Sequence, residues 1–324
     1  MLQAFLHCVC SLVSPLPVGY LRGCALKELG TFLNIPQHLP RLQQLSSSSS
    51  LQSSNRIKVL LYHLLADPQN PEGKACLRFS GNCRQHGLST NIMEELEAFL
   101  DNVQAYLLQN RFVLLKKHVH AHGVTFPTQD DLMLYLSDIV RCEVEEAVFV
   151  PIMVLLNVHL ELKHKVQENK LQKKILALRR KTQTFFEIPN DQISPSGWQS
   201  VVEKLNGINT VDLPSEKLHQ LVLSANEIHL LYMKEHNTLP SDNEHVHSEL
   251  SRRISDEMVL SGDDFLPIYI YVLVQCKVYP LYATLELLSS LCDPEKRLGE
   301  SGYYLATFEA AMHHIMSLNE NDGV

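Results

Sequence analysis

Residues 261 to 274 read Ser-Gly-Asp-Asp-Phe-Leu-Pro-Ile-Tyr-Ile-Tyr-Val-Leu-Val. Two acids stand before a run that is apolar on nearly every face. A helix of that kind is stable only when other elements enclose it, so the rest of the chain must supply the enclosing layers. Pro267 constrains where the helix starts, because proline is tolerated in a first turn and costly further in. The expectation is a start at Asp263 or Asp264, one acid serving as N-cap and the other standing at the helix mouth, aimed outward. Two readings stand side by side. Both acids can simply cap the helix and complement its dipole, or one of them is presented to a partner.

The enclosing layers are expected to be helices. Glycine is scarce (13 residues), there is one tryptophan, and apolar residues make up 45%. With apolar positions recurring at i, i+3 and i+4, this predicts an all-α protein. The net charge of −8 argues against a broad nucleic-acid surface. No two of the eight cysteines form a Cys-x-x-Cys pair, and several sit inside apolar helical runs, as expected of reduced, cytosolic thiols. Residues 1 to 19 resemble the apolar core of a signal peptide. They lack its basic start and are interrupted by Pro15 and Pro17, so secretion is not expected. No run reaches the ~18 uninterrupted apolar residues of a spanning helix.

In chain order, residues 1–90 form an N-terminal region of short apolar pieces, with a Ser-rich linker at 45–54, a short helix over Ile57–Leu65 and a loop at 67–90 rich in Pro, Gly, Asn and Ser. Residues 91–165 read as a helical bundle. Its first helix carries the stripe Met93, Leu96, Leu100, Val103 and Leu107, its second starts at Asp130 with Thr128 as cap, and its third runs over Glu143–Leu162 across Pro151. Residues 166–318 form the core around the central stretch. Its first helix has a basic face of Lys170, Lys173, Lys174, Arg179, Arg180 and Lys181, either simply solvated or a contact for an acidic partner or an anionic membrane. Pro214 opens another helix. Residues 236–248 read as a polar loop, and 319–324 as a polar tail. The last helix, from about Gly302 to Ile315, has the stripe Tyr304, Phe308, Ala311, Met312 and Ile315. That leaves Tyr303, Ala306 and Thr307 on a second face, free to meet a partner.

His118, His120 and His122 alternate, which on a strand would gather them for a metal, but their flanks read as helix and loop. There is no P-loop, Gly-x-Gly-x-x-Gly, Gly-x-Ser-x-Gly or His-Glu-x-x-His. Neither metal, cofactor nor covalent chemistry is expected.

Asp263-Asp-Phe-Leu-Pro267 with the apolar run behind it, and then Gly302-Tyr-Tyr-Leu305, resemble the two most telling motifs of the Vps9 domain, the catalytic module of guanine nucleotide exchange factors for the Rab5 subfamily. Leu171-Gln-Lys-Lys-Ile175, Trp198 and Val211-Asp-Leu-Pro-Ser-Glu-Lys-Leu218 resemble further family segments in the family's order, over about 150 residues. The resemblance implies that Asp263 is an "aspartate finger": it enters the nucleotide site of the GTPase, pairs with the P-loop lysine, displaces the magnesium ion and crowds the β-phosphate. Asp264, Pro267, Tyr303 and Thr307 would be GTPase-binding, with Pro267 shaping the groove floor and Tyr303 hydrogen-bonding the switch region. The groove between the central and last helices would take switch I and switch II. A Rab5-subfamily GTPase is thus the implied partner, approached from the cytosol at the early-endosomal membrane.

Two places depart from the family pattern. The threonine expected three residues after the first tyrosine is Ala306, with Thr307 following about 100° further round the helix. The family's Lys-Ala-Asn-Pro-Pro turn is here Gln275-Cys-Lys-Val-Tyr279, with Pro280 displaced. These departures keep open the alternative of a Vps9-like adaptor that binds a Rab without exchange; the basic helix keeps open a second, a helical scaffold held on anionic membranes.

Overall fold

A computed structural model describes residues 48–121, 125–236 and 260–318. Among them every regular element is helical, so the all-α class read from the sequence is the class observed. The helices are α1 Ser48–Ala66, α2 Pro71–His86, α3 Ile92–Asn110, α4 Phe112–His120, α5 Gln129–Phe149, α6 Met153–Leu178, α7 Gln199–Asn206, α8 Pro214–Glu235, α9 Gly262–Gln275, α10 Leu281–Leu291, the single turn α11 Pro294–Arg297, and α12 Glu300–Ser317. The pieces expected in residues 1–35, most of the 236–248 loop and the polar tail lie outside the described residues.

The described residues form two hydrophobic cores. The first is a bundle of α1 to α5, filled by the expected stripe of α3 together with Ile57 and Leu61 of α1 and Leu136, Val140 and Val144 of α5. Thr128 caps α5 as expected, accepting a hydrogen bond from the Asp131 amide at 3.1 Å. The bundle begins earlier than residue 91. The Ser-rich segment is helical from Ser48, and the 67–90 segment is mostly the helix α2 rather than a loop. Pro71 sits in the first turn of α2, where its missing N–H costs nothing, and Gly73 allows a close crossing. A Cβ there would stand 2.2 Å from the Asp67 carbonyl oxygen.

Pro151 also acts differently from expectation. The helix expected across it is instead the end of α5 and the start of α6, joined by the short 3-10 turn Val150–Ile152. α6 then runs without a break for 26 residues, about 39 Å. Its N-terminal half sends Leu156 and Leu160 into the bundle, and its C-terminal half sends Leu171, Ile175 and Leu178 into the second core. A boundary at 165/166 therefore falls inside one helix. α10 is shared in the other sense, edge to edge: Leu281, Leu285 and Leu288 face the second core, while Ala283, Leu287 and Leu291 face the bundle.

Between the cores lies a seam of paired charges. Arg141 of α5, 1% exposed, donates to Asp101 Oδ1 at 2.6 Å, Glu145 Oε1 at 3.1 Å, Gln104 Oε1 at 3.1 Å and the Leu291 carbonyl at 2.8 Å. Gln104 donates in turn to Asp293 Oδ2 at 3.0 Å, and Glu145 Oε2 accepts from the Ser215 amide at 2.9 Å. Lys296 pairs with Asp138 at 2.9 Å, and Arg297 pairs with Glu97. The polar loop that leads into α12 is thereby held against the bundle.

α9 is the axis of the second core. It packs against α6, α7, α8 and α12, which is why its sequence is apolar nearly all round. From Phe265 to Val274 only Tyr271 is not buried.

Candidate functional site

The N-terminal end of α9 reaches the surface, and its capping differs from the expectation. Neither acid is the N-cap: Ser261 is, accepting from the Asp264 amide at 3.2 Å. Its hydroxyl also donates to Asp264 Oδ2 at 2.6 Å, so cap and acid hold each other. The helix starts at Gly262, one residue before the expected range, and Pro267 lies inside it, in the second turn rather than the first. A serine is the better cap here because it can donate to the carboxylate and accept from the amide at once. Without an N–H, Pro267 cannot bond the carbonyl of Asp263 four residues back.

This division of labour leaves Asp263 exposed, with no hydrogen bond or ion pair to its carboxylate among the described residues. It stands beside the start of α12. A Cβ on Gly262 would lie 3.7 Å from the Tyr303 hydroxyl, so the two helix ends meet with Asp263 and Tyr303 at one corner. Burial pushes the Tyr303 phenol up, and the nearby Asp263 charge adds to that shift. Tyr303 is thus protonated at neutral pH and can act as a hydrogen-bond donor.

Beneath the corner is an aromatic floor. Phe265 stacks on His229 of α8 at 5.1 Å and lies against Tyr304 at 5.7 Å. The Tyr304 hydroxyl donates to Asn226 Oδ1 at 3.1 Å, and Asn226 donates to Glu300 Oε1 at 3.0 Å. Gly302 seats α12 on the charged loop: a Cβ there would fall 1.9 Å from the Arg297 carbonyl oxygen. Asn226, His229 and Glu300 were not singled out from the sequence. The signal that could have found them is the polar pair Asn226 and His229, three residues apart on the otherwise apolar stripe of α8.

Of the sequence-predicted residues, Asp263, Asp264 and Tyr303 converge on this corner, with Pro267 buried behind them. Thr307 does not join them. It is 1% exposed and Ala306 is 2% exposed, and the Thr307 hydroxyl donates to the Tyr303 carbonyl at 2.9 Å. The free face expected at Ala306 and Thr307 is closed because α12 packs against α6, α8, α9 and α10, and only small side chains fit between helices so crowded.

Other expectations resolve outside the corner. His118 and His120 lie on the helix α4, where two residues' separation turns them about 200° apart; His122 lies outside the described residues. Among the described residues no group of three or more His, Cys, Asp or Glu could hold a metal, and no helix is long and apolar enough to cross a membrane. Arg179 is not a free cation of a solvated face. It donates to the Val274 and Cys276 carbonyls at 3.3 and 2.8 Å, closing the C-terminal end of α9.

Residues 198–320 match the vacuolar sorting protein 9 (VPS9) domain. The chain is similar to mouse "Ras and Rab interactor 3", 22% identical over 241 residues, or 72% of this chain and 21% of that protein. It is also similar to human "Ras and Rab interactor 3", 39% identical over 59 residues (18% of this chain, 6% of the relative). Human "Ras and Rab interactor 2" is 40% identical over 59 residues (18% and 7%). The chain spans about a fifth or less of the length of these curated relatives.

Proposed function

We propose that this chain is a guanine nucleotide exchange factor for a small GTPase of the Rab5 subfamily, with Asp263 as the aspartate finger. The observation that carries the reading is the uneven use of two adjacent acids. Asp264 is consumed by the cap, whereas Asp263 is exposed and unbonded beside Tyr303. A carboxylate with no structural duty, on a helix held rigid by a whole core, is suited to enter a partner's phosphate site. Binding energies show how it would act. A GTPase that holds nucleotide near 1 nM does so with about 12 kcal/mol, more than one carboxylate can offset. The interface as a whole must hold the empty GTPase, and Asp263 supplies the negative charge left by the departing phosphate. Tyr303 would donate to the switch region, and Pro267 would back the surface between α9 and α12. The place of action would be the cytosolic face of early endosomes, with the chain held there peripherally.

The test is release of a fluorescent GDP analogue from a panel of Rab GTPases, with Asp263→Ala as the paired variant. Acceleration by the native chain, strongest for the Rab5 subfamily and reduced roughly 100-fold by the variant, is the expected result. Release no faster than from the GTPase alone, for every Rab tried, overturns it. One observation favours a second reading, a Rab-binding adaptor without exchange: alanine stands at 306 where the resemblance expects threonine, and Thr307 beside it is buried, so its hydroxyl does not substitute at the surface. Rab binding that survives with no change in release would select the adaptor.

A further inference from the structure

A second candidate site lies at the opposite end of α9, about 20 Å from Asp263 along the helix. There a cavity of about 240 Å3 opens between the C-terminal ends of α6 and α9 and the segment that leads into α10. Its apolar floor is Ile175, Leu273 and Leu281, all buried, and Arg179 and Lys277 stand in its wall with no acid among the lining residues. Arg179 spends Nε and one Nη2 hydrogen on carbonyls of the α9 end. A guanidinium has five N–H donors, and Nη1 has no partner among the described residues. The Lys277 side chain is exposed and likewise has no partner among the described residues.

The rim repeats this pairing of grease and positive charge. Leu176 of α6 is 63% exposed and Tyr279 is 58% exposed. On the helix surface the neighbours of Leu176 are the residues three and four positions away: Gln172 and Arg179 line the cavity, and Lys173 and Arg180 are exposed cations. No ion pair ties Lys173 or Arg180 to an acid among the described residues. The acid that precedes them on α6, Glu168, is buried. Its carboxylate is already occupied, accepting from Gln172 Nε2 at 2.8 Å and from the Tyr282 amide at 2.9 Å. A chain with a net charge of −8 thus gathers around one apolar hole four cations that no acid among the described residues pairs.

We propose that this cavity is a docking site for an acidic peptide segment of a partner protein, which inserts one bulky apolar side chain between α6 and α9 and sets its carboxylates against Arg179, Lys277, Lys173 and Arg180. At about 240 Å3 the cavity lies just below the ~300–1,000 Å3 usual for cofactor and small-molecule pockets, which favours a single anchoring side chain. A single buried anchor ringed by polar contacts is the usual form of a protein-binding hot spot. A membrane surface would use the same cations but has no need of a hole with an apolar floor. The site is remote from Asp263, so a bound segment could hold the chain in place while the corner at Tyr303 stays open.

The experiment is selection of random peptides displayed on phage against the whole 324-residue chain, followed by fluorescence anisotropy with the selected peptides. The expected peptides carry Asp or Glu on both sides of a Leu, Phe or Trp. Their affinity should fall at least tenfold for Leu176→Glu and for Lys277→Glu, weaken with added salt, and be unchanged for Asp263→Ala. Matching melting curves would show that the exposed substitutions leave the fold intact, and Lys173→Glu provides a further variant remote from the cavity floor. Peptides without acids, or peptides that bind the Lys277→Glu chain as well as the native one, overturn the proposal. So does the converse pattern, in which these substitutions abolish binding to vesicles containing 20% phosphatidylserine while no peptide is selected; the cations would then serve a membrane.

Discussion

Charged residues are used in opposite ways at the seam between the two cores and at the tip of α9. At the seam, Arg141 is surrounded by two carboxylates, an amide and a carbonyl. At the tip, Asp264 is consumed by its cap and Asp263 beside it is left unbonded among the described residues. A charge out of water must be matched, and breaking a buried pair leaves its partner stranded. A charge at the surface is under no such demand, so leaving one unmatched is cheap for the fold and available to a partner. The contrast separates charges that hold the two cores together from an exposed acid that no hydrogen bond among the described residues ties to the fold.

Four variants test that separation, ranked here by expected effect on stability. Arg141→Ala should cost most, about 3–5 kcal/mol in urea unfolding, because Asp101, Glu145 and the Leu291 carbonyl lose their shared donor. A cost below about 1 kcal/mol would mean that the seam is not the anchor described here. His229 comes next. Its ring is 5% exposed with Nδ1 unbonded, and burial lowers its pKa from 6.5 to about 4. The unfolded chain binds this proton below pH 6.5, whereas the fold resists it until about pH 4. The stability it supports is therefore complete above pH 6.5 and is lost as the pH falls, by about 2 kcal/mol at pH 5. His229→Phe, which can keep a stack on Phe265, should remove that much of the acid sensitivity; identical pH profiles for the two chains would show that the ring is not buried and neutral.

Ser261→Ala should cost about 1 kcal/mol, the usual value of an N-cap, seen as a shift in the urea midpoint. Asp263→Ala should change stability least, by no more than about 0.5 kcal/mol, while exchange is lost. A large destabilisation from Asp263→Ala would return this acid to the structural class and remove the basis for its proposed role.

How much of this was legible in the sequence depended on how local the cause was. The stripe of α3, the Thr128 cap and the Pro214 start are set within a few residues, and they stand where the pattern put them. So does the exposure of one of the two acids, since a capped helix mouth has little room for both. α2 was hidden because Pro71 and Gly73 look like breakers when they are a first-turn residue and a crossing point. Residue type alone does not single out Ser261 as the cap, because the acids beside it are equally good candidates. The burial of Thr307 follows from four helices crowding α12, which no periodicity within α12 records. The seam could not be read at all: Gln104 and Asp293 meet across 189 residues of sequence.

The sharing of α6 and α10 by both cores has a practical consequence for anyone who wishes to work alone with the part that matches the VPS9 domain. A fragment begun at residue 166 starts in mid-helix, and one begun at the matched domain's first residue, Trp198, discards α6 altogether. Either would turn Ala283, Leu287 and Leu291 out to water as a ready-made sticky strip. Such a piece should clump or fail to express, and silence in an assay would then report the scissors rather than the chemistry.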